Sequence, residues 1–387
     1  MTRPLLNRRL DGLGTSIFAE MSARAVATGA VNLGQGFPDV DGPREIAAEA
    51  AAAVLAGRGN QYPPGIGIPE LRRAVAAHQQ RFYGLGYDPD TEVLITAGAT
   101  EAIAAALLAV LEPGDEVIAF EPYYDSYVAN IVMAGATRVP LTLRPPDFRP
   151  DLDRLTDAVT SKTRVILVNS PHNPTGMVLT RAEAQAIADL AVERDLLVVT
   201  DEVYEHLVYD REHVPLASLD GMRERTISVS SAGKAFSFTG WKVGWVTGTP
   251  EIVNAVRTTK QFLTFVTSGP FQYAVASALA LPDGYFESLA GDLKKKRDLL
   301  ADGLEGIGFE VYQPDGTYFI TTDIAPLGEQ DGVEFCLNLP ERAGVVAIPT
   351  AVFYDDKEAG RTQVRFAFCK RPEILEEALS RLAVLAR

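Results

Sequence analysis

Between residues 45 and 285 the apolar positions follow two alternating patterns, helical spacing and short continuous runs. Apolar residues three and four positions apart predict helices over residues 45–57, 69–84, 99–111 and 181–195. Short runs rich in β-branched residues predict strands over residues 92–98, 115–122, 163–171, 195–202 and 225–231. Near-continuous apolar strands separated by amphipathic helices are typical of a mostly parallel sheet covered by helices. We therefore expect an α/β fold in this part of the chain.

The pattern changes after residue 285. Leucines spaced four and seven residues apart mark one face of a long helix over residues 285–306, and the short strands FEVY, TYFITTDI, GVVAI and QVRFAF follow it. We predict a smaller α+β domain over residues 286–387 beside a large domain over residues 45–285, since 387 residues exceed one simple core. Residues 1–44 show loop signals and no obvious strand, and we expect an N-terminal arm that forms part of the small domain.

Composition narrows the class of protein. A hydrophobic share of 47% and a charged share of 22% are typical of a globular enzyme, and the net charge of -15 disfavours nucleic-acid and anionic-membrane partners. The N-terminus lacks the apolar segment of a signal peptide, and no apolar run is long enough to cross a bilayer, so we expect a cytoplasmic protein. Two distant cysteines and four histidines predict reduced thiols and no metal site.

Polar residues follow several of the predicted strands, where ligands bind in open α/β sheets. Gly98, Ala99 and Thr100 open a helix after the first strand, and the free N–H groups of such a helix suit a phosphate, although any strand-to-helix turn looks similar. Asn173 lies in a loop fixed by two prolines and a glycine, and it could simply form a turn. Asp201 ends an apolar strand, where an acid either caps a helix or faces a cationic ligand.

Lys234 follows the strand RTISVSS among small residues. Burial and nearby positive charge lower the pKa of a lysine and make it a nucleophile toward carbonyls, although a structural ion pair is an alternative. Ser231 and Lys242 are placed to bind a phosphate on the same carbonyl compound. A phosphate nest, an amide, a carboxylate and an amine are together what pyridoxal 5'-phosphate (PLP) requires.

Four separate motifs resemble those of the class I aminotransferases of PLP fold type I: NLGQGFPD (32–39), NSPHNPTG (169–176), TDEVYEHLVYD (200–210) and SSAGKAFSFTGWKVGW (230–245). The resemblance covers nearly the whole chain. It is closest to the kynurenine aminotransferase and cysteine-conjugate β-lyase subgroup, and within it to the actinobacterial N-succinyldiaminopimelate aminotransferases. It implies a PLP-dependent homodimer with shared active sites that exchanges an amino group between an amino acid and a 2-oxo acid. The implied pair is N-succinyl-LL-2,6-diaminopimelate with 2-oxoglutarate or glutamate, in lysine biosynthesis.

The resemblance also implies roles for single residues. Lys234 would form the Schiff base and then move the substrate proton, as base and as acid, while Asp201 would pair with the pyridinium nitrogen. Arg365, in QVRFAFCK, would clamp the substrate α-carboxylate; a surface arginine is the alternative. The remaining implied contacts are Asn173 and Tyr204 to the phenolic oxygen, Tyr124 stacked on the ring, Ala99, Thr100, Ser231 and Lys242 around the phosphate, Tyr62 to the phosphate of the neighbouring subunit, and Gly36 and Asn173 beside the substrate.

Three alternative functions share features of this pattern. A nicotinamide-dependent oxidoreductase is disfavoured, because the glycine pairs in NLGQGFPD and PPGIGIP do not complete G-x-G-x-x-G or follow a clear strand. A β-lyase stays open, because PLP-binding motifs do not choose the bond that breaks. A non-catalytic PLP-binding protein would not need Lys234, Asp201 and Arg365 together.

Four aromatic residues are candidates for the substrate side-chain pocket or for core packing: Phe18, Phe37, Phe353 and Tyr354. For Phe353 the core is the favoured interpretation. A second arginine for a distal carboxylate is not evident from the pattern.

Overall fold

A computed structural model describes residues 5–11, 13 and 17–386, so residues 1–4, 12 and 14–16 of the predicted N-terminal arm lie outside the described residues. The α-helices are α1 (Ile17–Thr28), α2 (Arg44–Leu55), α3 (Pro69–Tyr83), α4 (Gly98–Val110), α5 (Asp125–Ala134), α6 (Leu152–Asp157), α7 (Arg181–Glu193), α8 (Ala232–Ala235), α9 (Pro250–Lys260), α10 (Gly269–Leu279), α11 (Asp283–Ile307), α12 (Gly332–Ala343) and α13 (Pro372–Leu382). The strands are β1 (Val31–Asn32), β2 (Val93–Thr96), β3 (Glu116–Glu121), β4 (Thr137–Thr142), β5 (Thr163–Asn169), β6 (Leu197–Asp201), β7 (Thr226–Ser231), β8 (Gly244–Thr247), β9 (Glu310–Tyr312), β10 (Phe319–Asp323), β11 (Val345–Val346), β12 (Ile348–Pro349) and β13 (Gln363–Ala367).

The larger sheet has seven strands in the order β2-β8-β7-β6-β5-β3-β4. Only β8 runs antiparallel to its neighbours, and the other pairs along the sheet are parallel. In the central pairs Asn169 lies opposite Asp201, and Asp201 lies opposite Val229, so the carboxyl ends of β5, β6 and β7 meet at one edge. The predicted α/β class with a mostly parallel sheet is confirmed.

Two strands of this sheet were not predicted from the sequence. β4 is a partly exposed edge strand with Pro140 inside it, which weakens its apolar pattern, and proline is confined to such edges because it lacks an N–H group. β8 has four residues inside a loop-like motif. The predicted helices and the other strands are found within a few residues of their expected ends, and local signals explain several of these ends. A capping box of Thr180 and Glu183 starts α7, and Gly84, with a φ of 69°, ends α3.

The smaller sheet has four antiparallel strands in the order β12-β13-β10-β9. Its core is a single apolar cluster that also includes residues of α1, α11, α12 and α13. β1 pairs in parallel with β11, which ties the N-terminal segment to this part of the protein. The sequence pattern did not reveal β1 because the strand is only two residues long. The domain boundaries given above stay a prediction.

Two remaining expectations concern single features. Cys336 and Cys369 are both buried and unpaired, as expected for reduced thiols. Within the described ranges, no helix combines the length and the apolar character of a membrane span.

Candidate active site

A cavity of about 250 Å³ lies at the edge of the large sheet where β5, β6 and β7 end. Its walls come from both sheets and from the N-terminal segment. All but one of the predicted site residues line it: Gly36, Ala99, Thr100, Tyr124, Asn173, Asp201, Tyr204, Ser231, Lys234, Lys242 and Arg365. Residues that are more than 300 positions apart in the sequence therefore face one space.

Lys234 enters this cavity from α8, directly after β7. Its Nζ donates a hydrogen bond to the Gly36 carbonyl at 3.3 Å and lies 5.8 Å from the centre of the Tyr204 ring. Burial lowers the pKa of Lys234 to about 8, although the nearby Cys369 and Asp201 raise it. A lysine with such a pKa is partly unprotonated near neutral pH, and the unprotonated amine is a nucleophile.

Asp201 is the last residue of β6 and is buried at the base of the cavity. The Tyr127 hydroxyl donates to Oδ2 at 2.6 Å, the Val203 N–H donates to Oδ1 at 3.3 Å, and Asn169 Nδ2 donates to the Asp201 carbonyl at 2.8 Å. Burial raises the pKa of Asp201 to about 6, and the Tyr127 hydrogen bond opposes this rise. The helix-cap alternative is wrong, because residues 203–206 form turns and no helix follows the strand.

The part of the cavity beside α4 suits an anion. The helix α4 begins at Gly98, whose φ is 77°, and a Cβ atom there would lie 3.1 Å from Lys242 Nζ. The backbones of Gly98 and Gly244 also pack so closely that a Cβ on Gly244 would lie 2.6 Å from the Gly98 carbonyl carbon. Free N–H groups of a helix, a lysine and the hydroxyls of Thr100 and Ser231 form the donor set that a phosphate requires.

Arg365 reaches the cavity from β13 of the smaller sheet. Its side chain is 1% exposed, so the surface alternative is wrong. Nη1 donates to Asn173 Oδ1 at 3.0 Å and Nη2 donates to the Gly34 carbonyl at 2.8 Å, while Nε has no hydrogen-bond partner within the described residues. Burial lowers the pKa of Arg365 to about 10, and its guanidinium lies 4.0 Å from the centre of the Phe319 ring. A buried, charged fork with an unused donor is suited to a carboxylate.

Because Gly36 has no side chain, the segment after β1 can approach Phe319 of the smaller sheet closely. A Cβ atom on this residue would lie 2.5 Å from the Phe319 ring, so no larger residue fits without displacing the ring. Its carbonyl accepts hydrogen bonds from Lys234 and from the Tyr318 hydroxyl. The Gly36 carbonyl therefore connects Lys234, which follows the large sheet, to Tyr318, which precedes β10 of the smaller sheet.

Known proteins of similar sequence identify the family to which this chain belongs. The sequence pattern of the family "Aminotransferase class I and II" matches residues 28–382. The chain belongs to this family. It is 53% identical to "Probable N-succinyldiaminopimelate aminotransferase DapC" of Mycobacterium tuberculosis over 98% of each chain. It is 37% identical to "Kynurenine--oxoglutarate transaminase 3" of Mus musculus, over 96% of this chain and 88% of that one.

A solved structure supports the same assignment. The N-succinyldiaminopimelate aminotransferase from Mycobacterium tuberculosis superposes with a TM-score of 0.97, over 98% of this chain and 100% of the other. The resemblance seen in the four motifs is confirmed. The protein is a PLP-dependent aminotransferase. Its donors for a phosphate, its carboxylate for a ring nitrogen and its amine for an aldehyde fit this cofactor.

Tyr62 is the one predicted site residue outside the cavity of the aminotransferase. Its side chain is 82% exposed and packs edge-to-face on Phe265 with ring centres 5.5 Å apart. Since its expected role is in the neighbouring subunit, that role stays a prediction.

Of the aromatic candidates, Phe18 lines the cavity, and Phe37 is 46% exposed. Phe353 and Tyr354 are buried and do not line it, as core packing requires.

Three contributors to the site were missed at the sequence level. Tyr127 holds Asp201, Asn169 accepts from the Asn173 N–H at 2.7 Å, and Phe319 underlies Arg365. Tyr127 stands three positions after Tyr124 at the start of α5, which is one helical turn and was a usable signal. Asn169 ends β5 and also fits the strand-end rule. Phe319 has no local signal, since its position follows from the packing of two sheets.

Proposed function

We propose that this aminotransferase transfers the amino group between N-succinyl-LL-2,6-diaminopimelate and the 2-oxoglutarate/glutamate pair, in cytoplasmic lysine biosynthesis. The observation that carries the proposal is the meeting of Lys234, Asp201 and Arg365 in one buried cavity. The choice of substrate is supported by the relative with that name, which is 53% identical over nearly the full length.

When bound, PLP supplies an aldehyde for an amine and an electron-withdrawing ring that acidifies the substrate α-carbon. Asp201, fixed by Tyr127, keeps the ring nitrogen protonated. Lys234 would hold the cofactor aldehyde through its Nζ. The free Nζ would also take the proton from the substrate α-carbon and return it on the other side of the transferred nitrogen. A pKa near 8 suits both proton transfers.

Other residues of the cavity orient the reactants. Asn173 and Tyr204 would hold the phenolic oxygen of the cofactor, and Tyr124 would lie against its ring. The phosphate would be bound beside α4 by Ala99, Thr100, Ser231 and Lys242. These residues would keep a bound cofactor in place through the exchange.

Arg365 binds the α-carboxylate shared by the amino-acid and oxo-acid substrates. Asn173 and the Gly34 carbonyl hold two of its nitrogens, so the guanidinium is oriented before substrate arrives. Gly36 leaves room for the substrate backbone beside Phe319. Because Arg365 binds the α-carboxylate of both the amino-acid and the oxo-acid substrate, one site can carry out both half-reactions.

The distal carboxylates of the proposed donor need a further partner. Among the described lining residues, the cations are Lys234, Lys242 and Arg365, and each already has a role. We infer that a second subunit completes the pocket. An exposed aromatic patch is placed to form the interface, with Tyr62 and Phe262 each 82% exposed and Phe265 50% exposed. In this homodimer Tyr62 binds the phosphate in the partner's site.

Steady-state kinetics test the substrate assignment. With 2-oxoglutarate as acceptor, kcat/KM for N-succinyl-LL-2,6-diaminopimelate should exceed kcat/KM for kynurenine by about tenfold or more, which is about 1.4 kcal/mol of selectivity. A kynurenine-type enzyme is the second candidate, because Phe18 and Phe319 give the cavity aromatic walls. A higher kcat/KM for kynurenine would establish that candidate instead.

Subunit exchange tests the shared site. Tyr62→Ala and Lys234→Ala each weaken or abolish activity alone, but a mixed dimer contains one site with both residues intact. Activity should therefore rise when the two variants are mixed and allowed to exchange. Mixing Lys234→Ala with Lys234→Ala carrying Tyr62→Ala is the matched control and should stay inactive. A monomer in sedimentation, or no recovery on mixing, contradicts the shared site.

A further inference from the structure

Three of the four histidines in the chain lie together outside the catalytic cavity. His78 is on α3 and His206 is in the turn after β6, and their Nε2 atoms are 2.6 Å apart. Glu205 lies beside them, and one ligand atom from each of these three residues falls within 4.8 Å of the others. His213 and Glu202 form a neighbouring pair at 3.3 Å.

One oxygen of this cluster is buried without a partner. Glu205 is 5% exposed, and its Oε1 accepts from the Ser230 hydroxyl at 2.5 Å. No donor among the described residues meets Glu205 Oε2. A buried oxygen without a donor costs free energy, and a cation would offset that cost.

The two imidazoles are suited to bind a cation. Their Nε2 atoms face each other and lie 2.6 Å apart, so both can be directed at one ion. A neutral imidazole has the lone pair that a metal requires. The rings of Phe82 and Phe286 pack on His206, with centres 4.7 and 4.1 Å away, and exclude water from one side. His206 itself is only half-buried, which leaves a path from solvent.

We propose that His78, Glu205 and His206 bind a divalent transition-metal ion, with Zn²⁺ as the best fit. Two imidazole nitrogens and one carboxylate oxygen, completed by water, form a tetrahedral set. Ligand nitrogens of such a site lie about 3.3 Å apart, so the two rings need to separate by less than about 1 Å. The site ties α3 to the turn that presents Tyr204 and Glu205, and its role is structural, because none of its three ligands lines the catalytic cavity.

Zinc binding to the PLP-loaded enzyme tests the proposal. After treatment with a chelator, titration with ZnCl2 in a calorimeter should give one ion per chain and a higher thermal midpoint. Zinc X-ray absorption should show two imidazoles in the first shell, a result that needs no variant. His78→Gln and Glu205→Gln should each weaken binding by more than the about 10–100-fold typical of outer-shell changes.

Glu212→Gln is the matched control, because Glu212 is exposed on the same loop and belongs to no part of the cluster. It should bind zinc like the parent enzyme. No stoichiometric binding, one imidazole or none in the X-ray absorption, or unchanged affinity in His78→Gln would each overturn the site. In that event the 2.6 Å contact is a hydrogen bond between two neutral histidines.

Discussion

The two ends of the catalytic cavity are built in different ways. At the cofactor end, Asp201 and Ser231 are the last residues of strands in the large sheet, and Lys234 follows within three residues. At the substrate end, Arg365 comes from the smaller sheet and Gly36 from the segment after β1. In the proposed roles, the chemistry therefore rests on the large sheet, whereas recognition of the carboxylate depends on how the two sheets meet. Changes at the first end should therefore affect kcat, and changes at the second end should affect KM.

The largest effect is expected for Lys234→Ala. Loss of its proton-transfer role alone should lower kcat about 10²–10⁴-fold, and loss of the bond to the cofactor should lower kcat further. We expect no measurable turnover and no absorption band of lysine-bound PLP, with an unchanged far-UV circular dichroism spectrum. Lys295→Ala, at an exposed position on α11, is the control and should keep full activity. Transamination by Lys234→Ala at the parent rate would remove this residue from the mechanism.

Asp201→Asn should bind PLP but turn over more slowly. The neutral amide cannot stabilise the protonated ring nitrogen, and loss of a hydrogen bond to a charged group costs about 2–3 kcal/mol, which is about 100-fold in kcat. KM for the amino donor should change little. Equal kcat values in the two proteins would show that Asp201 does not face the cofactor.

Asp201→Asn should lower kcat but raise the free energy of unfolding of the cofactor-free protein. Since burial raises the pKa of Asp201 to about 6 from 3.8, the protonated form stabilises the fold below about pH 4, and this contribution is lost as the pH rises through 6. The charged carboxylate then costs on the order of 2–3 kcal/mol. Asp201→Asn should therefore raise the free energy of unfolding at pH 7.5 and have little effect at pH 4. Denaturant titrations at both pH values measure this, and a destabilised variant at pH 7.5 would contradict it.

Arg365→Lys tests the substrate end. A lysine keeps the charge but loses the planar fork, and a lost hydrogen bond to a carboxylate costs about 1.5–3 kcal/mol. KM for both substrates should rise about 10–100-fold, while the spectrum of bound PLP stays unchanged. A spectral change with a normal KM would place Arg365 beside the cofactor and would contradict its role as the carboxylate clamp.

The smallest effect is expected for Tyr127→Phe. This change removes the 2.6 Å hydrogen bond to Asp201, worth about 1 kcal/mol, so kcat should fall about fivefold. The pKa of Asp201 should rise further, because the Tyr127 hydrogen bond lowers it. In the cofactor-free protein this appears as an upward shift in the pH at which stability is lost. An unchanged pH profile of unfolding would show that the hydroxyl does not hold the carboxylate.

The contrast between the two ends also separates what the sequence predicted from what it did not. Asp201 and Lys234 were evident because a strand end fixes their neighbourhood locally, and the strand-end rule places such residues together. The position of Arg365 in the cavity was only implied by resemblance, since β13 belongs to another sheet. Phe319, which supports Arg365, had no sequence signal at all. Short or edge strands such as β4 and β8 were missed because their patterns are weak or interrupted by proline.

A visible absorption spectrum of the purified PLP-loaded enzyme, recorded before and after glutamate is added without any oxo acid, tests the catalytic site most directly. We predict that the band of lysine-bound PLP disappears and the band of pyridoxamine 5'-phosphate replaces it, with 2-oxoglutarate released in equal amount. The same addition to Arg365→Lys should need a much higher glutamate concentration for the same change. A band that persists with every amino acid tested would contradict amino-group transfer at this cavity.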